Sequence, residues 1–129
     1  MAQGFPAIPG DVVSSAMYNG LVAFTINAQT GTTYTTVIGD SYQTLITQSN
    51  ASASDIKIPT DANVDHPIGT VITVLNIGAG LCTISAVTSA TTIILSAGAT
   101  ADSPTIAQYK SAAIIKTAAN AWYVVGSIA

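Results

Sequence analysis

Ionised side chains are scarce in this chain. Only 7% of its 129 residues are charged, arginine and glutamate are absent, and six aspartates stand against three scattered lysines, Lys57, Lys110 and Lys116. Domains that live free in water usually carry about a quarter of their residues as charges. The composition therefore predicts a surface covered by copies of the chain or by a larger assembly, and favours a structural subunit over a free enzyme. Because no basic patch could hold phosphates, we predict no nucleic-acid binding.

Long apolar runs and paired cysteines are also absent. Apolar residues come in short stretches such as 93–95, far below the 18 or so that cross a bilayer as a helix. Aromatics at 6% are too few for the two girdles of an outer-membrane barrel, and residues 1–4 open no secretory signal, so we predict no membrane association. The single cysteine, Cys82, excludes an intrachain disulfide and a cysteine-built metal site, and is predicted to be a small core residue.

Motifs that carry catalysis or hold cofactors are missing as well. No nucleophile elbow occurs, and His66 stands directly before a proline among turn formers, which favours a hydrogen-bonded or solvated loop histidine over a catalytic base. Asp55, Asp61 and Asp65 form the one local acidic cluster, but their spacing matches no calcium loop. Glycines at 78–80 precede a strand pattern, not the helix of a phosphate loop. We therefore predict a non-enzymatic protein without a catalytic, cofactor or metal site.

Short β-favouring stretches separated by Gly, Asn, Asp, Ser or Pro occupy the chain from residue 21 onward. They lie at 21–27, 33–38, 44–48, 54–58, 70–77, 81–86, 91–95, 112–117 and 121–127. Stretches of this length and spacing predict an all-β fold, an antiparallel β-sandwich or barrel of about 8–10 short strands.

Two pairs of these stretches have the pattern of hairpins. Residues 70–86 carry the Gly78-Ala79-Gly80 connection, where a positive φ is expected at a glycine, and a second hairpin is predicted around Asn120 near the end of the chain. Trp122 in the second hairpin is predicted to anchor the core, worth about 3–5 kcal/mol against alanine if buried. The alternative is an exposed platform that stacks on sugars.

The stretch at 71–77 is apolar on both sides. Ile72 and Val74 fall on one side and Val71, Leu75 and Ile77 on the other, so a sheet with one wet face would leave half of the stretch uncovered. This pattern predicts a second buried face, in the core or at a contact between subunits of a homo-oligomer.

The first 22 residues differ from the rest. Two prolines and two glycines within residues 1–10 predict an extended arm, in which Phe5 and Ile8 would anchor a neighbouring subunit or fold back on their own domain. Asp11 could cap one short helix that ends at a glycine, Gly20. The predicted organisation is thus an arm with a short helix over 1–22, followed by a β-domain over 23–129.

A succession of short segments in the β-domain carries a family resemblance. The segments are 27–34, Ile-Lys-Ile-Pro at 56–59, Pro-Ile-Gly-Thr at 67–70, the stretch 71–77, Gly-Ala-Gly at 78–80, Thr-Ile-Ser-Ala at 83–86, Ala-Gln-Tyr at 107–109, Ser-Ala-Ala at 111–113 and Trp-Tyr-Val-Val-Gly at 122–126. In order and spacing they resemble a β-rich module of tailed-bacteriophage virion structural proteins, which recurs near tail-fibre ends and in small head decoration proteins.

The resemblance implies a non-enzymatic virion protein, commonly a homotrimer, made in the host cytoplasm and carried in the particle. The few residues ahead of the module favour a head decoration, or cement, protein that bridges shell subunits, with the major capsid protein or other virion proteins as partners. Its interface would include Phe5, Ile8, Val71, Leu75 and Ile77. The alternative is a short trimeric tail-fibre, spike or baseplate component, which would bind a host receptor or carbohydrate through aromatics. Those aromatics would be Tyr42, Tyr109, Trp122 and Tyr123.

Overall fold

Ten β-strands make up nearly half of residues 23–129, the part of the chain that the structure, a computed structural model, describes. They are β1 (Thr25–Gln29), β2 (Thr33–Thr35), β3 (Thr44–Gln48), β4 (Ser54–Ile58), β5 (Val71–Asn76), β6 (Cys82–Ala86), β7 (Ile93–Ser96), β8 (Thr105–Ile106), β9 (Lys110–Ala118) and β10 (Ala121–Gly126). A 3₁₀ helix spans Ile38–Ser41, and residues 23–129 contain no α-helix. The predicted arm with Phe5 and Ile8, and the helix capped by Asp11, lie outside the described residues.

The strands form two mixed sheets. One has six strands in the order β1-β3-β5-β9-β10-β7, and the other has four in the order β2-β4-β6-β8. Strands β1 to β6 alternate between the sheets, so the chain winds through three successive coils whose strands stack in parallel. The all-β prediction is confirmed for residues 23–129. The antiparallel arrangement is wrong, because five strand pairs are parallel and only three are antiparallel.

The hairpin predicted at residues 70–86 does not form. β5 belongs to the six-stranded sheet and β6 to the four-stranded sheet, so the connection between them turns a corner instead of reversing. Neither Gly78 nor Gly80 has a positive φ. Both lie against the backbone of the preceding coil, at Asn50 and Ser52, where the Cβ of any other residue would collide. The glycines are required by this close approach and not by a left-handed turn.

Corresponding corners of two coils are stacked. Gln48 is paired with Asn76 at the end of one strand and Ser54 with Cys82 at the start of the next, so the two connections are equal in length. The buried Asn76 side chain stabilises the corner between β5 and β6, because its Nδ2 donates to the Gly80 and Ile106 carbonyls at 2.8 and 2.7 Å. Backbone amides of Ile77 and Gly80 donate to the Gln48 and Asn50 carbonyls at 2.8 and 2.9 Å, and these bonds join the corners of the second and third coils.

The second predicted hairpin is confirmed. β9 and β10 pair in antiparallel fashion, and Asn120 adopts a positive φ in the turn between them. β9 also pairs with β5 in antiparallel fashion, so it joins the stacked coils to β10 and β7. One core lies between the two sheets and receives Trp122 at 1% exposure and Cys82 fully buried, as the sequence predicts for both.

Candidate functional site

Chemically active side chains gather in one buried cluster under the loop that joins β4 to β5. Lys116 points inward from β9 and is only 1% exposed, and its Nζ lies 2.8 Å from Asp61 Oδ1 and donates to the His66 carbonyl oxygen at 2.5 Å. The ammonium also lies 5.9 Å from the centre of the Trp122 ring, a distance at which the ring face attracts a cation. The charge of Lys116 is thus matched by a carboxylate, a carbonyl and an aromatic ring.

His66 is the second member of this cluster. Its Nε2 lies 3.0 Å from Thr36 Oγ1 and its Nδ1 2.5 Å from Ser41 Oγ, while its ring meets Trp122 edge-on at 5.5 Å. Burial and, after it, the nearby charge of Lys116 lower the pKa of His66 below its ordinary value. The ring is therefore held neutral and donates through one nitrogen while it accepts at the other. The prediction of a hydrogen-bonded loop histidine is confirmed.

The close pair of Ser41 and His66 invites comparison with a nucleophile and its base. In such a pair the second ring nitrogen is normally oriented by a carboxylate, whereas here it meets the hydroxyl of Thr36. His66 is 1% exposed, and neither of the two surface cavities described below is lined by Ser41 or His66. These contacts hold the β4–β5 loop against the core, and their geometry supports a structural role.

A second polar network closes the interior of the first coil. The buried Asp40 carboxylate accepts hydrogen bonds from the Tyr34 hydroxyl at 2.6 Å and from Asn27 Nδ2 and the Val37 amide, each at 3.0 Å. Burial and the hydrogen bond to Asp40 raise the pKa of Tyr34 to about 12. The buried carboxylate of Asp40 therefore has three hydrogen-bond donors, and the network ties β1, β2 and the 3₁₀ helix together.

Two of the three aspartates of the acidic cluster in the sequence, Asp61 and Asp65, face Lys116 at 2.8 and 3.7 Å, and the third lies apart from them. Asp61 pairs with Lys116 and accepts the Asn120 amide at 3.0 Å, Asp65 is 84% exposed, and Asp55 lies on β4 in the outward face of the four-stranded sheet. Within residues 23–129 no three histidine, cysteine, aspartate or glutamate side chains are grouped so that they could hold a metal ion. In the same part of the chain, no helix is long and apolar enough to span a bilayer.

Within residues 23–129, the larger of the two sheet faces is the outward side of the six-stranded sheet. Side chains alternate along each strand between the core and this side. The outward set comprises Ile26, Ala28, Leu45, Thr47, Val71, Thr73, Leu75, Ile93, Leu95, Ser111, Ala113, Ile115, Tyr123 and Val125. None of these residues is acidic or basic, and we call this surface the uncharged face. Six of its large apolar side chains are between 42% and 57% exposed.

The outward side of the four-stranded sheet has the opposite character. It presents Thr33, Asp55, Thr83 and Thr105 in one row. The next row contains Lys57, whose Nζ donates to Ser85 Oγ at 3.2 Å. Hydroxyls and charges of this kind suit contact with water or with a polar partner. The molecule thus has one polar and one apolar sheet face.

The predicted interface residues in the described chain fall on or beside the uncharged face. Val71 and Leu75 alternate with the buried Ile72 and Val74, which confirms that the two sets point to opposite sides of β5. Ile77 follows the strand and is 40% exposed. Whether these residues contact another subunit stays a prediction.

Sequence reasoning missed most of the uncharged face. Ile115 on β9, Tyr123 on β10 and Leu95 on β7 extend the row begun by Val71, and Val125 on β10 lies in the next row beside Ala113. The same period-two alternation in each strand could have indicated their sides, but their assembly into one surface depends on long-range strand pairing.

The aromatics of the receptor-binding alternative do not come together. Trp122 is buried, whereas Tyr42 and Tyr109 are strongly exposed. Tyr42 precedes β3, and the Tyr109 amide donates to Asn76 at the far end of β5, so the two lie at opposite ends of the parallel strands. The sugar-stacking interpretation of Trp122 is wrong.

Two cavities open on the surface beside β7. The larger, of about 430 Å³, lies between β7 and β10 and is lined by Leu95, Tyr123, Val125 and Ile128, among others. The smaller, of about 160 Å³, lies on the other side of β7 beside Thr92 and Asp102.

Comparison of the chain with protein-family models, with curated proteins and with solved structures gives no match.

Proposed function

We propose that this chain is a non-enzymatic structural subunit of a tailed-bacteriophage particle, a head decoration or cement protein that bridges shell subunits. The observation that carries the proposal is the uncharged face, which spans six strands and leaves large apolar side chains open to water. Exposed apolar surface of this extent is typical of protein contact sites. The protein would be made in the host cytoplasm and carried in the virion, in contact with the major capsid protein.

The titratable groups support a structural role. Inside the protein, ion pairs and hydrogen bonds to one another and to neighbouring groups occupy the polar atoms of Lys116, Asp61 and His66. Hydrogen bonds from the first coil occupy the carboxylate of Asp40 in the same way. None of these groups lines either described cavity. A reaction needs a polar group that reaches its substrate, whereas Lys116, His66 and Asp40 are buried and Asp61 is occupied by Lys116 and the Asn120 amide.

The phage setting of the proposal comes from the sequence resemblance over residues 23–129, and the two-faced architecture agrees with it. A decoration protein must contact several neighbours at once, so it needs large surfaces more than a deep pocket. An uncharged face for one kind of neighbour and a polar face for another meets that need. The tail-fibre alternative has less support, because Tyr42 and Tyr109 lie apart and Trp122 is buried, which leaves Tyr123 as its exposed aromatic on the uncharged face.

Locating the protein on purified particles tests the proposal. We expect antibodies raised against the chain to label phage heads by immunogold microscopy, and particles made without it to release their genome at a lower temperature. Label at the tail tip would support the tail-fibre alternative instead. Absence of the protein from particles of a phage that encodes it would refute a virion role.

A further inference from the structure

We propose that the uncharged face is the surface through which copies of this chain associate, with a second copy of the chain as its occupant. The inference deepens the proposed function and rests on it for its biological setting. Its test, however, needs only the purified protein, so the two can fail independently.

The size of the face matches what a stable contact needs. Six strands at about 4.8 Å spacing and roughly five residues at about 3.3 Å each make a face of roughly 29 by 17 Å. Side-chain relief adds to this flat area, so packing two copies face to face would bury on the order of 1,000–1,400 Å² in total. Specific protein contacts begin at about 1,000 Å², which this face reaches with a single partner.

The chemistry of the face restricts its occupant. A charged side chain pressed against it would be desolvated without a partner, which is costly, so the matching surface must also be free of charge. A second copy offers such a surface by definition. A contact of this kind joins the same patch on both subunits and therefore closes on itself.

The relief of the face is also suited to a copy of itself. Strand register places Leu95, Tyr123, Ile115 and Val71 side by side, which makes a raised row across four strands. The next row along the strands contains Val125, Ala113, Thr73 and Leu45, so its two short side chains form a shallow depression between two larger ones. Rows of outward side chains are about 7 Å apart, so a second copy turned by half a revolution could place a large side chain of its raised row over this depression.

The cavity at the edge of the face adds a point of attachment. Its 430 Å³ lie between β7 and β10, with Leu95, Tyr123, Val125 and Ile128 in its wall. Apolar side chains from a partner would enter this space and lose contact with water. Apolar or aromatic residues that enter a pocket on a partner often contribute strongly to the affinity of a contact.

The test introduces one positive charge on each sheet face and measures mass in solution. Tyr123→Lys and Val125→Lys place a lysine on the uncharged face, and Thr83→Lys is the matched control on the four-stranded sheet, also in mid-strand and pointing outward. Sedimentation velocity and light scattering from about 1 to about 100 µM would give the dissociation constant of each protein. Circular dichroism checks that each variant is folded.

We expect the unchanged protein to associate, and both lysine variants on the uncharged face to raise the dissociation constant at least about thirtyfold. Thr83→Lys should change it less than about threefold. If one variant does not fold, the other decides the result. An unchanged protein that stays monomeric at about 100 µM would overturn the inference and indicate that the capsid protein or residues 1–22 cover the face. Unaltered association of a folded lysine variant would overturn it too, because the contact would then lie elsewhere.

Discussion

Replacing Asp61 with alanine would leave the buried ammonium of Lys116 with one carbonyl, that of His66, and a distant carboxylate, that of Asp65 at 3.7 Å. Removing one partner of a buried ion pair typically costs about 3–5 kcal/mol. Because Asp65 is largely exposed and screened by water, we expect it to replace little of the lost interaction. The Asn120 amide also loses its acceptor. We therefore expect a loss of about 3–4 kcal/mol, which corresponds to a fall in Tm of roughly 12 °C for a domain of this size.

The reverse change should cost less. Lys116→Met removes the buried charge and leaves Asp61, which is 19% exposed and can be solvated, so we expect a loss of about 1–2 kcal/mol. The double variant should be more stable than Asp61→Ala alone, since it no longer contains an unpaired buried charge.

Urea unfolding followed by the fluorescence of Trp122, the single tryptophan, measures all four proteins of this cycle. Protein concentration must be equal throughout, because association would add to the apparent stability. A loss below about 1 kcal/mol for Asp61→Ala, or a double variant no more stable than that single variant, would refute the account of the buried pair.

Three further measurements test the coils and the core. Gly80→Ala should lower the free energy of unfolding in urea by about 2–3 kcal/mol, because the new Cβ would collide with the Ser52 backbone. Gly39→Ala, which has open space around it, should leave the free energy of unfolding nearly unchanged. Equal losses for the two variants would contradict the stacked corners. Burial raises the pKa of Cys82 to about 11, so native protein at pH 8 should react with a disulfide reagent at least about a hundredfold more slowly than unfolded protein, and fast native labelling would contradict its burial. Because the pKa of His66 is lowered in the folded state, its contribution to the free energy of unfolding should be complete above pH 6.5, the ordinary pKa of histidine, and should fall below that pH by at most about 1.4 kcal/mol per pH unit. His66→Gln should remove this pH dependence, and an unchanged pH dependence would assign it to other groups.

Strand positions were predictable because they depend on local sequence. The predicted bounds of β3 and β4 match the structure, and the inward positions of Ile72 and Val74 follow from alternation along β5. β8 was missed because it has only two residues. Burial of Trp122 and Cys82 was also predictable, since large or soft apolar groups gain most from leaving water.

Strand pairing was not predictable from the same signals. A glycine-rich link between two strands is typical of a hairpin, and nothing local distinguishes it from a corner between two sheets. The distinguishing signal is distant: the links after Gln48 and after Asn76 have equal length, and Gly78 and Gly80 stand opposite Asn50 and Ser52. The sequence signal of parallel coil pairing is therefore a similarity between segments 28 positions apart, such as those that begin at Ser54 and Cys82.

Lys116 shows a different limit of sequence reasoning. Lys116 lies two residues after the buried Ile114 in β9, so the alternation of side chains along the strand predicts that it points inward. Lysine side chains are usually exposed, which predicts the opposite. The structure resolves this conflict through Asp61, which is far away in sequence and reaches the ammonium from the β4–β5 loop. Such a partner cannot be assigned before the loop has been placed over the core.

The division of the surface separates the two contacts that the proposed function requires. If a second copy covers the uncharged face, contact with a capsid shell must fall on the rest of the molecule. The four-stranded sheet then becomes the natural candidate, because Asp55 and Lys57 give it charges that can match a polar shell surface and set orientation. Self-association would depend on apolar area and should tolerate salt, whereas attachment to a shell through charges should weaken as salt rises. The two sheets that share one core would in this way provide contacts with different physical dependence.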